Sequence, residues 1–143
     1  MIACDGSADG LDALERLASL GPNPDNSVVT LVVGWPPRGG VMWQDVYERQ
    51  LSSDDLHRAL EETVEAVSAR LRRIGGSLAH EVTSRVEDGD GAEQLAAVAE
   101  REHADILFTG VTGGHGRRHA HELIERVMLR LHIPIVVVYG TDR

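Results

Sequence analysis

The sequence predicts one α/β domain, residues 1–143, built as three layers with helices on both faces of a five-stranded parallel sheet. First, short apolar runs alternate with segments of helical periodicity, which is the pattern of parallel sheets. Second, Val28–Val33 is an almost continuous apolar, β-branched run, typical of a strand that is buried on both faces. Third, 143 residues fit a single domain that buries a core without disulfide bonds.

The first half of the chain is predicted to contain two strands and the helix between them. Ile2–Cys4 is a short apolar run, predicted as the first strand. The next element is predicted to be a helix, because its apolar residues recur at helical spacing, and Gly21 with Pro22 is predicted to end it. Those residues are Leu11, Leu14, Leu17 and Ala18. After the second strand comes an irregular stretch, 36–53, which either walls a ligand pocket or packs over the sheet.

The second helix carries the longest apolar stripe in the chain. Its members are Leu56, Leu60, Val64, Val67, Leu71 and Ile74. Ser52 and Asp55 form a capping-box pattern at its start, and Gly75 with Gly76 is predicted to end it. The third strand is predicted from three spaced apolar residues, namely Leu78, Val82 and Val86. The polar residues between them indicate a strand near the sheet edge.

The last four elements surround a glycine-rich turn. A third helix is predicted after Asp90, with Leu95, Val98 and Ala99 on its apolar side. Ile106–Phe108 is predicted as the fourth strand, and it leads into the glycine-rich turn, Gly110–Gly116. A fourth helix is predicted from apolar residues at helical spacing, and the last strand is predicted over Ile135–Tyr139. The apolar residues of that helix are Leu123, Val127 and Leu131.

Composition excludes several classes of function. The net charge is −9, so the surface repels nucleic acid phosphates and anionic membranes. All 14 basic residues are arginine, and the lack of lysine removes Walker-type phosphate binding, Schiff-base chemistry and the lysine that receiver domains need. Cys4 is the one cysteine, no long apolar run is present, and no signal-peptide pattern begins the chain; we therefore expect a cytoplasmic protein without a membrane span.

A ligand site is expected where strand order reverses in the parallel sheet, outside the carboxyl ends of the strands. Asp5 follows the first strand, and the glycine-rich turn follows the fourth. If these strands are neighbours, a carboxylate that can accept a ligand hydrogen bond faces backbone amides that can hold phosphate. Arg117 and Arg118 add positive charge near that turn. An ordinary flexible loop followed by a solvated helix start remains the alternative.

The chain resembles the universal stress protein family over almost its whole length. The resemblance is carried by Asp5-Gly6-Ser7 after the first strand, by Gly89-Asp90 with Ala92, and by the approach from Ala104 to Gly110. It continues from Glu125-Arg126-Val127-Met128 through Ile133-Pro134 into the last strand. The resemblance implies a flavodoxin-like α/β/α fold and a stress-response or regulatory module rather than a conventional enzyme.

Many members of this family bind ATP, so the resemblance implies an adenine nucleotide, with Mg²⁺ only as its companion. Asp5 and Val33 match positions that contact adenosine in such members. The remaining nucleotide-binding residues that we expect are Gly110, Gly113, Gly114, Arg117 and Arg118. No general base can be named, so we expect no catalytic residue and at most slow ATP hydrolysis or autophosphorylation.

The phosphate motif of the family departs from its pattern in this chain. Gly110 and Gly113 match its first half, but His121 and Glu122 stand where a Gly-Ser pair belongs, and the loop is two residues short. Glu122 would favour the helix dipole and repel a triphosphate. The competing hypothesis is therefore a dimeric interaction module without nucleotide, paired through Ile135–Tyr139, the usual dimer edge of the family.

Other candidate groups receive structural interpretations. His115, His119 and His121 have no cysteine or carboxylate partner at a known metal-ligand spacing, so no metal site is predicted. Cys4 lies inside an apolar strand and is interpreted as a buried, inert thiol. Ser7 is interpreted as the cap of the first helix.

Overall fold

The computed structural model describes residues 1–6, 8–35, 53–88, 91–111 and 117–139. The strands in these residues are β1 (Ile2–Cys4), β2 (Ser27–Trp35), β3 (Glu81–Asp88), β4 (Leu107–Val111) and β5 (Ile135–Tyr139). The α-helices are α1 (Ala8–Glu15), α2 (Ser53–Gly76), α3 (Gly91–Arg101) and α4 (Arg117–Met128), and a 3-10 helix, Arg16–Leu20, continues α1. The predicted alternation of strands and helices is confirmed.

The strands of the described residues form one parallel sheet in the order β3-β2-β1-β4-β5. The short strand β1 lies at the centre, where Ala3 pairs with Leu31 of β2 and Thr109 of β4. The predicted flavodoxin-like fold class is therefore confirmed, as is the edge position of β3. From β1 the chain adds β2 and β3 on one side of the central strand, and it then crosses over to add β4 and β5 on the other side. The strand order therefore reverses between β1 and β4.

Helices α1 and α2 cover one face of the sheet. The buried residues of this core come from β1, β2, both helices and the turn after α2. They are Ile2, Cys4, Leu11, Leu14, Leu17, Val28, Val32, Val67, Leu71, Ile74, Leu78 and Ala79. Leu14 and Leu71 are fully buried. Burial of one such side chain contributes about 1.5–3 kcal/mol relative to its exposure, so this stripe holds both helices on the sheet.

Helices α3 and α4 cover the opposite face. Their core is built from small and branched side chains, and its buried members are Ala3, Leu31, Ala92, Leu95, Ala96, Val98, Ala99, Leu107, Val127 and Leu131. Ala3 and Leu31 point into this core, whereas their neighbours Cys4 and Val32 point into the other one. This alternation follows from the two-residue period of a strand and explains why the central strands are apolar at every position.

Helices α1 and α2 are also joined by charge. The guanidinium of Arg70 on α2 donates hydrogen bonds to Asp12 and, at 2.7 Å, to Oε1 of Glu15 on α1. Arg73 lies 3.6 Å from the same Glu15 oxygen. The hydrogen bond from Arg70 lowers the pKa of Glu15, and the two carboxylates raise the pKa of Arg70. The carboxylates are half exposed, so each pair contributes at most about 1 kcal/mol.

The end of α3 is closed by a residue in the left-handed region. His103 has a φ of 51°, and its N–H donates to the carbonyl of Glu100 at 3.1 Å. The N–H of Ala104 donates to the carbonyl of Ala99 at 2.9 Å. This pair of bonds is a Schellman closure, in which glycine is the favoured residue at the position that His103 occupies.

Of two predicted boundaries around the second helix, one is confirmed and one is wrong. Gly75 and Gly76 are the last two residues of α2, as predicted, and the chain packs closely there: a Cβ at Gly75 would lie 3.1 Å from side-chain atoms of Val28 and of Val82. Leu78 precedes β3 and does not belong to it. Its N–H donates to the carbonyl of Gly75 at 2.9 Å, so Leu78 fills the core from the turn after the helix.

The fourth strand is longer than predicted, and this changes the position of one glycine. β4 runs over Leu107–Val111, so Gly110 lies in the strand and not in the turn. Gly110 pairs with Val138, and Val111 pairs with Tyr139 of β5. The pairing with β5 extends β4 to Val111, whereas the pairing with β1 ends at Thr109. The rest of the predicted turn, residues 112–116, lies outside the described residues, as does the irregular stretch up to residue 52.

Within the described residues, no helix is long and apolar enough to cross a membrane.

Candidate functional site

The candidate site lies at the carboxyl ends of β1 and β4, where strand order reverses. The chain leaves β1 toward α1 on one face of the sheet and leaves β4 toward α4 on the other. In open α/β sheets, this divergence leaves a crevice in which ligands bind. The predicted proximity of β1 and β4 is confirmed by the pairing of Ile2 with Phe108 and of Ala3 with Thr109.

Asp5 is the residue that leaves β1 into this crevice. It is exposed, and it follows directly on the last strand residue, Cys4, which is buried. Gly6 then adopts a φ of 83°, which lets the chain turn at once from the strand toward α1. The short turn holds a carboxylate at the sheet edge, where it can accept hydrogen bonds from the hydroxyl or amine groups of a ligand.

Cys4 directly precedes Asp5 in the chain, and its thiol is buried. Burial raises the pKa of its thiol to about 12, an effect that outweighs the hydrogen bond from the backbone of Gly6. The thiolate is the reactive form of cysteine, so Cys4 is no nucleophile at neutral pH. The predicted burial of Cys4 is confirmed.

Gly110 lies near the carboxyl end of β4, the strand that pairs with β1. A Cβ at this position would lie 2.1 Å from the carbonyl oxygen of Gly10 and 2.8 Å from Cγ of Leu14. Both residues belong to α1, so the backbone of the helix rests directly on the backbone of the strand. Only glycine permits this approach.

The outer side of the site is formed by the first turns of α4 and the end of β5. The ring centroids of His121 and Tyr139 lie 6.4 Å apart with an interplanar angle of 43°. Arg16 donates a hydrogen bond of 3.2 Å to the carbonyl oxygen of Tyr139 from the other face of the sheet. His121, which stands at the altered position of the family motif, therefore lies against the last strand, and Glu122 beside it is exposed.

The structure describes part of the predicted set of site residues. Asp5 and Gly110 lie on the neighbouring strands β1 and β4. Val33 lies on β2, one residue beyond the pair that Cys4 forms with Val32, so its backbone is level with Asp5. Arg117 and Arg118 form the first turn of α4. Gly113 and Gly114 lie outside the described residues.

Sequence reasoning missed one residue of this site, Gly10. A single glycine in a helix carries little signal by itself, and the partner of Gly10 lies 100 positions away in the chain. The available signal was a glycine on the apolar side of α1, one residue before Leu11 and four before Leu14. Isolated helical glycines cost stability, so their presence indicates a close packing contact.

No group of three histidine, cysteine, aspartate or glutamate side chains that could hold a metal ion occurs among the residues that the structure describes. His115, one of the three histidines considered above, lies outside that part of the chain.

The fold is that of open, parallel α/β sheets, a class in which ligands bind at the switch point between two parallel strands. Comparison with protein-family models narrows this class, since the model of the universal stress protein family matches residues 1–139. The chain therefore belongs to the universal stress protein family, as its motifs indicated. The comparison with curated proteins gives no match.

Solved structures share this fold. A hypothetical protein, PH0823, has a TM-score of 0.61 and 16% identity, with 99% of this chain and 96% of that chain covered. A universal stress protein in complex with cAMP has a TM-score of 0.55 and 14% identity, covering 99% of this chain and 98% of that one. The universal stress protein of Archaeoglobus fulgidus in complex with dAMP has a TM-score of 0.52 and 14% identity, with 96% and 94% covered.

Proposed function

We propose that this protein is a regulatory module of the universal stress protein family that binds an adenine nucleotide at the crevice between β1 and β4. Asp5 accepts hydrogen bonds from the adenosine part, and Val33 contacts the base. The phosphate end is held by backbone amides of the glycine-rich turn, with arginine side chains screening its charge. The residues at that end are Gly113, Gly114, Arg117 and Arg118.

The observation that carries this proposal is the pairing of β1 with both β2 and β4. It brings Asp5, Val33 and the end of β4 to one edge of the sheet, although they are far apart in sequence. An exposed carboxylate on one strand and the amino end of a 12-residue helix after the other are complementary to a nucleoside and its phosphate. Two proteins of the same fold, at 14% identity each, hold cAMP and dAMP, which supports the choice of an adenine ligand.

The phosphate end favours a ligand with little negative charge. Glu122 is exposed on the second turn of α4, and the protein carries a net charge of −9. A triphosphate meets more repulsion there than a monophosphate does. The replacement Glu122→Ser should strengthen ATP binding, and Glu125→Ser, which removes an exposed carboxylate one turn further along the same helix, serves as the control. Equal ATP affinities of these two variants would remove Glu122 as the explanation.

The direct experiment identifies what the protein carries. The protein is purified gently and denatured, and the small molecules that it releases are analysed by mass spectrometry; AMP, cAMP and ATP are then titrated into the emptied protein by calorimetry. An adenine nucleotide in stoichiometric amount, or saturable binding of one of the three, supports the proposal. An empty protein that binds none of them contradicts it.

The alternative function is a homodimeric interaction module, and one observation favours it. Strand β5 is an edge strand with five uncharged residues, and Val136 and Tyr139 on it are each 41% exposed. Such an edge is prone to pair with another strand. We propose that two copies of the chain pair through Ile135–Tyr139, with or without nucleotide. Light scattering during size exclusion should give the dimer mass, and a monomer at micromolar concentration would contradict this interface.

The proposal also includes the metal ion that accompanies the nucleotide and the cell compartment of the protein. Mg²⁺ would enter with the phosphates of the nucleotide, since phosphate oxygens are ligands that it prefers. The cytoplasm is the proposed compartment, because the lone cysteine is a buried free thiol.

A further inference from the structure

The contact between Gly10 and Gly110 has no counterpart elsewhere among the glycine contacts that the structure describes. At Gly75 the nearest atoms to an added Cβ belong to side chains at 3.1 Å, and at Gly76 no atom lies within 4 Å. At Gly110 the nearest atoms are the carbonyl oxygen of Gly10 at 2.1 Å and its carbonyl carbon at 2.9 Å. Backbone groups cannot rotate away as side chains do, so this contact has one geometry.

Gly110 lies in a row of residues that points toward α1. Along β4, Gly110 is paired with Val138 of β5 and lies one residue beyond the Ala3–Thr109 pair, level with Cys4 of β1. Cys4 and Val138 both contribute to the core under α1. The missing side chain at Gly110 leaves a gap in this row, and the backbone of α1 at Gly10 fills it.

This contact lies close to the ligand side of the crevice. The backbone of α1 rests on β4 at Gly10, two residues after the helix begins at Ala8. The helix is joined to Asp5 through only Gly6 and residue 7. Asp5 thus lies between two fixed points, namely the strand β1 behind it and the Gly10–Gly110 contact ahead of it.

We infer that Gly10 and Gly110 are positioning residues for the ligand site: their backbone contact fixes α1 against β4 and thereby sets the place of the Asp5 carboxylate. Gly110 then serves the site by packing against α1 rather than by holding phosphate. The inference rests on the proposed nucleotide binding. It goes beyond it by assigning the strand glycine a different role from the glycines of the turn.

The magnitude follows from the distances. Contacts of a Cβ below 3.0 Å are essentially never seen, so an alanine at 110 displaces the carbonyl of Gly10 by at least about 0.9 Å. A hydrogen bond between a carboxylate and a ligand weakens steeply over such a change, and its loss corresponds to about a tenfold weaker affinity. We expect Gly110→Ala to weaken AMP binding at least tenfold in folded protein.

The test separates position from stability by a matched control. Val98→Ala removes buried volume from the opposite core, and it should lower stability while leaving the face of the sheet that α1 covers unchanged. Both variants are shown to be folded by circular dichroism at low temperature, and AMP is titrated into each by calorimetry. Loss of affinity in Gly110→Ala with retained affinity in Val98→Ala supports the inference. Equal affinities of the two variants would overturn it.

The lone cysteine gives a second measurement that needs no ligand. Cys4 is 2% exposed under α1, so displacement of the helix should admit a thiol reagent. We expect Gly110→Ala to raise the labelling rate of Cys4 at least tenfold over Val98→Ala, and an unchanged rate would overturn the inference. If wild-type protein binds no adenine nucleotide, the proposed function fails, while this labelling still decides whether Gly110 positions α1.

If Gly110→Ala does not fold, hydrogen exchange of the wild-type protein decides the question. The inference makes α1 and β4 one unit, so AMP should slow amide exchange in 8–15 and in 107–111 together. Slowing that is confined to one of these two segments would overturn it.

Discussion

The replacement Gly110→Ala should lower the free energy of unfolding strongly, and this expectation follows from the fold alone. The new Cβ would lie 2.1 Å from the carbonyl oxygen of Gly10 and 2.8 Å from Cγ of Leu14. Leu14 is fully buried and cannot turn away, and the carbonyl belongs to a helix backbone. Relief therefore requires α1 to move outward by about 0.9 Å or more, since contacts under 3.0 Å are essentially never observed.

Overpacking of a core costs about 1–3 kcal/mol, and backbone displacement places this case at about 3 kcal/mol. For a domain of this size, the melting temperature should fall by roughly 6–12 °C. The assay is thermal unfolding followed by circular dichroism at 222 nm, together with urea unfolding to obtain the free energy.

The matched control is Gly76→Ala. An added Cβ at Gly76 meets no atom within 4 Å, and the residue closes a helix, where alanine is favoured over glycine by up to about 1 kcal/mol. The control should be as stable as the wild type or more so. Should Gly110→Ala unfold at the wild-type temperature, the close packing of α1 on β4 would be refuted.

Further predictions concern the helix ends, the ion pairs and the dimer edge. His103→Gly should raise stability by about 0.5–1 kcal/mol in urea unfolding, because glycine relieves the left-handed conformation; a loss of stability would argue against that φ. The pKa of Glu15 is lowered by Arg70, so the stability that Arg70 contributes is complete above the ordinary glutamate pKa of 4.5 and is lost as pH falls through the lowered value. Arg70→Gln should therefore be less stable than wild type at pH 7 and should approach it at acid pH, and a pH-independent difference would refute the pairing. Val136→Arg should convert the dimer to a monomer in light scattering, whereas Val86→Arg on the other edge strand should not; equal masses of the two variants would exclude the β5 interface.

Most of the fold could be predicted because its elements have simple periodic patterns. Ile135–Tyr139 was predicted with the bounds that the structure shows, since Pro134 precedes it and its residues are continuously apolar and aromatic. The helix α2 was predicted from an apolar stripe, and Val64, Val67, Leu71 and Ile74 of this stripe pack in one core. Local pattern suffices in such cases, because burial on one face or on two faces leaves a distinct periodicity.

The error at Gly110 occurred because a tertiary contact overrides a local signal. Gly110 was interpreted as the start of a turn, since glycine commonly marks turns. It lies inside β4, and α1 packs where its side chain would be. Only the three-dimensional structure shows that neighbour, Gly10, which lies 100 positions away in the chain.

The residues at the strand ends of the candidate site could be predicted from the sequence, but the packing of α1 against β4 could not. Asp5 was selected because it follows the first strand, and the pairing of β1 with β4 confirms that its strand adjoins Gly110. The order of strands is a property of the whole sheet, so the sequence alone left this proximity conditional. The resemblance to the family implied the strand order of the sheet, which the local sequence patterns do not determine.

The central claim is that an adenine nucleotide binds at the carboxyl end of β1, and a calorimetric titration of AMP into two charge-matched variants tests it most directly. Asp5→Asn removes the carboxylate at the crevice. Asp25→Asn removes one from the exposed turn before β2, at the opposite end of the sheet. We expect Asp5→Asn to weaken AMP binding at least about tenfold, which corresponds to the loss of one charged hydrogen bond, and Asp25→Asn to bind AMP as the wild type does. Equal binding by both variants would contradict it.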